Sequence, residues 1–132
     1  MKAAHSLCPL LAILLAGCST TGGSRRDSPD SETVMVTYHV KAGKEPEFQA
    51  LLARAWVIYT TQHLVFTRPH LLVRDTEDAG KTRFVEILTW ISRATPENAP
   101  DAVRSVWMQE QSLCERRDGH RGIEISEVEI VR

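Results

Sequence analysis

Glu86 is the side chain most in need of a chemical explanation, because it stands inside the run Arg83–Ile91, RFVEILTWI, among apolar neighbours. A carboxylate in such surroundings is costly unless it is paired or hydrogen-bonded. Two roles meet that requirement. Glu86 is either a general base whose pKa is raised, with His39 as its partner, or half of a structural pair with Arg74 or a backbone donor. His39 carries the same two readings, catalytic partner or satisfied structural histidine. Metal chemistry has less to stand on: His39, His63, His70 and His120 lack short ligand spacing, and there is no Cys/His cluster. A Gly-rich phosphate loop and a nucleophile elbow are also missing. The expectation is a site with no metal and no cofactor, in which a pocket and one or two polar groups carry any chemistry.

Periodicity predicts the elements that position these residues. Thr33–Lys41 alternates, with Val34, Val36, Tyr38 and Val40 on one face and Met35, Thr37 and His39 on the other, which reads as a strand. Ala42-Gly43 ends it. Phe48, Leu51, Leu52, Ala55, Trp56 and Tyr59 then recur at three- and four-residue steps and predict an amphipathic helix. Pro46, Glu45 and Glu47 suit its first turn. Leu64–Arg74 predicts a strand that Pro69 either breaks or confines to a sheet edge. Thr76–Thr82 is a loop, and Arg83–Ile91 is a strand with Phe84, Leu88 and Trp90 on one face and Val85, Ile87 and Ile91 on the other. Apolar residues on both sides imply that both sides are covered. A second helix is expected from an Asn98 N-cap to about Arg117, with Val103, Val106, Trp107, Glu110, Leu113 and Cys114 in one row. Ile123–Val131 is a last strand whose parity slips at Val128, a sign of a bulge or a change of neighbours.

The order β-α-β-β-α-β predicts an α+β, ferredoxin-like split βαβ fold: a four-stranded antiparallel sheet with two helices on one face. Two helices cover one face only, so the two-faced strand calls for a partner, and the simplest is a second copy. The expectation is a homodimer joined through the face that carries Leu88 and Trp90. If Val34, Val36, Tyr38, Val40, Val85 and Ile87 face the helices, a cavity on the partner side is lined by Met35, Thr37, His39, Phe84, Glu86, Leu88 and Trp90. His70, Leu72 and Arg74 are added from the edge strand. An apolar pocket with a few polar groups is the usual make-up of a small-molecule site.

Two stretches of the domain carry a resemblance. Val40-Lys41-Ala42-Gly43-Lys44-Glu45 leading to Phe48, and Phe84 to Ser92 (FVEILTWIS), are similar to the dimeric α+β barrel superfamily, in its antibiotic-biosynthesis-monooxygenase-like branch. The likeness spans about Thr33 to Val131 and rests on loose motifs that speak for fold more than for activity. It implies a dimeric barrel, in a branch that includes cofactor-independent oxygenases, haem-degrading enzymes and proteins without known activity. The Asn, His and Trp of the haem-degrading members are not matched by a motif here, and no catalytic residue is carried over.

The N-terminus bears on location. Lys2 precedes an apolar run from Leu7 to Ala16, too short to span a bilayer, and then Leu15-Ala16-Gly17-Cys18. That tetrad resembles the lipobox of bacterial lipoproteins. The resemblance implies a signal peptide over residues 1–17, cleavage before Cys18, and lipidation of its thiol. Ser19 favours sorting to the outer membrane, facing the periplasm of a Gram-negative host. Several acyl chains together give stable membrane anchoring. Residues 18–32 lack apolar side chains beyond Cys18 and read as a flexible tether reaching roughly 20 Å, ahead of a domain over residues 33–132.

Of three cysteines, Cys8 leaves with the signal peptide and Cys18 takes the lipid, so Cys114 is left as a buried small hydrophobe or a reactive thiol. With 16 basic and 17 acidic side chains and no basic stripe, nucleic acid is not an expected partner. Three functions compete. The first is a membrane-anchored lipoprotein that binds a small apolar or aromatic molecule. The second is a cofactor-independent monooxygenase-like enzyme on an aromatic or quinone-like substrate. The third is a non-catalytic dimerisation or interaction module.

Overall fold

A computed structural model of the chain describes residues 29–131. Lipidation at Cys18, the signal peptide and most of the expected tether lie outside the described residues. The elements run β1 (Glu32–His39), α1 (Glu45–Thr61), β2 (Leu71–Thr76), a single 3-10 turn (Asp78–Gly80), β3 (Thr82–Trp90), α2 (Asp101–Ser112) and β4 (Ile123–Glu127). The strands form one antiparallel sheet in the order β2-β3-β1-β4, the ferredoxin-like α+β arrangement. No helix among the described residues is long and apolar enough to cross a membrane.

Each element has a local reason. Gly43, at φ +82°, makes the left-handed turn between β1 and α1 that a side chain would strain. Pro46 then sits in the first turn of α1, where a missing N–H costs nothing. From α1, Phe48, Leu51, Leu52, Ala55 and Tyr59 reach the core, where they meet Val34, Val36 and Tyr38 of β1 and Phe84, Leu88 and Trp90 of β3. Pro69 acts in both of the ways open to it: β2 begins only after it, at Leu71, and lies at the sheet edge. Ahead of it Val65 makes a lone bridge to Trp90.

The phase between the two central strands differs from the expectation. Val34 lies opposite Leu88, Val36 opposite Glu86, and Tyr38 opposite Phe84. Residues directly opposite in an antiparallel pair share a face. Phe84, Glu86, Leu88 and Trp90 therefore join Val34, Val36 and Tyr38 on the helix side. Leu72 and Arg74 lie there too, opposite Glu86 and Phe84. The uncovered face carries Met35, Thr37, Val85 and Ile87, with Leu71 and Val73 beside them. A dimer through Leu88 and Trp90 is thus ruled out: those side chains are 2% and 6% exposed within one protomer.

Other boundaries shift for identifiable reasons. Pro100 occupies the N-cap position of α2, while Asn98 sits in the preceding turn and donates from Nδ2 to Ala94 O at 2.9 Å. The helix ends at Ser112, short of Arg117, because the chain turns back to β1: Cys114 bridges Val40, and Glu115 N donates to His39 O at 2.8 Å. β4 stops at Glu127, where the parity slips, though Val128 N still donates to Thr33 O. Ahead of Thr33, Asp30 accepts from Arg93 N and Ser92 Oγ.

Candidate functional site

The second helix leans on α1, and the space between α2 and β4 stays open. That space is a cavity of about 930 Å³. Its floor is the helix side of β1 and β4, including Tyr38, Ile123 and Ile125. Ile125 lies opposite Val36, on the core side of the sheet, yet is 68% exposed because no helix covers it. Tyr59, Trp90 and Trp107 form an aromatic wall. The rings of Tyr59 and Trp90 meet edge-on at 5.2 Å and those of Trp90 and Trp107 at 6.1 Å, the geometry that aromatic quadrupoles favour. Trp107 Nε1 donates to the Tyr59 hydroxyl at 2.6 Å, which leaves that hydroxyl with its own hydrogen to give.

One carboxyl group faces this wall. Glu110 comes from the inward row of α2, is 2% exposed, and its Oε1 has no hydrogen-bond partner among the described residues. Burial, helped by the nearby charge of Glu86, pushes its pKa up to about 8. At neutral pH it is mainly a neutral carboxylic acid, able to donate one hydrogen bond and accept others. The sequence signal for it was a glutamate in the row Val103, Val106, Trp107, Glu110, Leu113. Periodicity places it inward; only the open space beside it makes it a site residue. Cys114 lines the same cavity as a free, buried thiol whose pKa burial raises to about 12, the signature of an inert cysteine.

The residues expected to act together are divided. Glu86 Oε2 accepts from the Tyr38 hydroxyl at 3.0 Å, and its Oε1 lies 2.8 Å from His70 Nε2. The His70 ring stacks on Trp56 at 3.5 Å. The partners of Glu86 are therefore Tyr38 and His70 rather than Arg74 or His39. His39 sits on the opposite side of the sheet, 2% exposed, with Nδ1 on Glu77 and Nε2 at 2.8 Å from Glu124. His120 stacks over it with centroids 5.7 Å apart. Its bond to Glu124 holds that carboxyl below its ordinary range. Of the expected pocket residues, Leu88 and Trp90 line the cavity. Phe84 packs on Phe48 at 5.5 Å with Arg74 over its ring at 5.7 Å, while Met35 and Thr37 lie on the uncovered face. Among the described residues no group of three or more His, Cys, Asp or Glu side chains is arranged to hold a metal ion.

No family model matches the chain, and no curated protein sequence matches it. Solved structures do. SnoaB, a cofactor-independent oxygenase from Streptomyces nogalater, superposes with a TM-score of 0.57 at 20% identity over 78% of this chain and 95% of that one. A conserved protein from Methanosarcina mazei Go1 gives 0.56 at 12% identity, over 75% and 91%. A candidate antibiotic biosynthesis monooxygenase from Caulobacter crescentus CB15 gives 0.52 at 13% identity, over 78% and 92%. At these identities the likeness is one of fold.

Proposed function

We propose that this domain binds a small apolar or aromatic molecule in the cavity between α2 and β4, on a chain held to the cell envelope by lipid at Cys18. The observation that carries the binding reading is a roomy, aromatic-walled cavity lined by one buried carboxyl group, Glu110, whose Oε1 has no hydrogen-bond partner among the described residues. Buried polar groups are nearly always partnered, so an unpartnered carboxyl group in a cavity wall marks a place for a ligand. Lipidation rests on the lipobox resemblance alone, and dimerisation rests on the uncovered apolar face. Calorimetric titration with diphenylmethane and benzophenone tests the binding reading. Saturable binding that Trp107→Ala weakens supports it, and the lack of any heat above that of dilution removes it. Mass spectrometry of the mature N-terminus tests the anchor, which an unmodified Cys18 would overturn.

A catalytic reading is favoured by the same carboxyl group together with the shared fold of SnoaB. Ionised Glu110 would take a proton from an acidic C–H beside an aromatic ring, and the carbanion would pass electrons to dioxygen. A methylene becomes a carbonyl, with one oxygen atom entering the product and the other leaving as water. Oxygen uptake with an enolisable aromatic ketone such as tetralone should then rise with pH through about 8 and vanish in Glu110→Gln. An unchanged rate in that variant would sink the catalytic reading and leave binding in place.

A further inference from the structure

The rim and the depth of the cavity carry different chemistry. At the rim, where α2 runs into β4, Arg116 and Arg121 are exposed, and neither has a carboxylate within ion-pair reach among the described residues. The two acids of the rim, Glu32 and Glu127, are already engaged: Arg93 reaches Glu127 at 2.5 Å and Glu32 at 3.6 Å. Neighbouring acids are engaged too, Glu115 with Lys81 at 2.9 Å and Arg117 at 3.2 Å, and Glu124 with His39. The uncompensated charge at the mouth is therefore positive. In the depth, Glu110 and Tyr59 both line the cavity with groups that carry an O–H, and only the first can also ionise near neutrality.

Resting on the binding reading above, we infer that the ligand is an aromatic acid with an acceptor oxygen, its anionic group held between Arg116 and Arg121 and its carbonyl received by Glu110. Rings stacked against Tyr59, Trp90 and Trp107 supply the apolar contact between these two ends. A guanidinium pair recognises a carboxylate by geometry as well as charge. A neutral carboxyl discriminates in the opposite sense: it donates to a carbonyl and repels an anion once ionised. The charged and titratable groups packed around Glu110 are Tyr38 of β1, Tyr59 of α1, Glu86 of β3 and Cys114 beyond α2. None of them is a cation that would hold Glu110 ionised.

Four related probes separate the two ends: para-benzoylbenzoate carries both groups, para-benzylbenzoate only the carboxylate, benzophenone only the carbonyl, and diphenylmethane neither. They are titrated calorimetrically into the full chain in micelles, with micelle blanks subtracted. At neutral pH benzoylbenzoate should bind about tenfold more tightly than either singly deleted probe. Glu110→Met should erase the carbonyl preference alone, and Arg116→Gln with Arg121→Gln should erase the carboxylate preference alone. Raising the pH through about 8 should weaken benzoylbenzoate more than benzylbenzoate, because both anions meet the new charge but only the first loses a hydrogen bond. If all four probes bind alike, the cavity is an unselective apolar site and this inference fails while the binding reading stands. If none binds, both fail.

Discussion

Glu110 couples the cavity to stability as well as to binding. Its carboxyl is favoured in the neutral form by the fold, with a pKa of about 8 against an ordinary value of 4.5. The folded state therefore holds the proton over a range in which the unfolded chain has lost it. A raised acid pKa means full stability below the ordinary value and progressive loss as pH rises through about 8. Glu110→Gln should remove that slope, raising stability at alkaline pH by about 2–4 kcal/mol and changing little at acid pH. Urea denaturation across the pH range checks it, and parallel curves for the two proteins would contradict it. His39 bears on stability alone. It sits between Glu77 and Glu124, so His39→Ala leaves Glu124 without its main donor and costs about 2 kcal/mol, discounted for the partial exposure of Glu124. Denaturant midpoints measure that loss, and no oxygenation or binding assay should register it.

At the scale of elements, the site exists because α2 and β4 are both short. The second helix ends at Ser112 so that Cys114 can bridge Val40, and that return places Arg116, Arg121 and Gly122 around the mouth. Gly122 is tight there: a Cβ would meet Cys114 Cβ at 3.2 Å and Glu115 N at 3.3 Å. Gly122→Ala should cost about 1 kcal/mol and alter ligand affinity, whereas Gly43→Ala should cost a similar amount through its left-handed backbone and leave affinity alone. Thermal melts beside probe titrations distinguish the two. β4 pairs with β1 alone and has open space on its core side, while β3 is paired on both edges. Amide exchange should therefore be faster in β4 than in β3, and a bound probe should slow β4 selectively. Uniform protection across the sheet would mean that the cavity is closed in solution.

At the scale of the whole molecule, the described residues leave one sheet face uncovered. Leu71 and Val73 are 53% and 47% exposed, and Met35, Val85 and Ile87 lie half-buried beside them. A contiguous apolar face of this kind is the sort of surface that a second copy covers. The charged end of the same face, with Asp75, Arg83, His39 and Glu124, would set the register of such a dimer. Ile87→Asp should convert a dimer to a folded monomer by light scattering, because this side chain contributes little to the protomer core. A wild-type chain that is already monomeric at tens of micromolar would overturn the dimer. The cavity opens on the helix side, so probe binding should survive that variant.

The sequence by itself determined the order of elements, the edge position of β2 and the inward row of α2. Each of these is local: alternation, three- and four-residue spacing and the missing N–H of Pro69 act within a few residues. The same locality explains the misplaced site. Alternation shows that Phe84, Glu86, Leu88 and Trp90 share a face, and that Val34, Val36 and Tyr38 share a face, but nothing within either strand says whether the two faces are one. That depends on which residue of β1 stands opposite which residue of β3, and a slip of one residue inverts it. Tertiary packing settled the register by burying both apolar sets under the helices. It thereby parted His39 from Glu86, gave Glu86 to Tyr38 and His70, and left Glu110 as the carboxyl group beside open space.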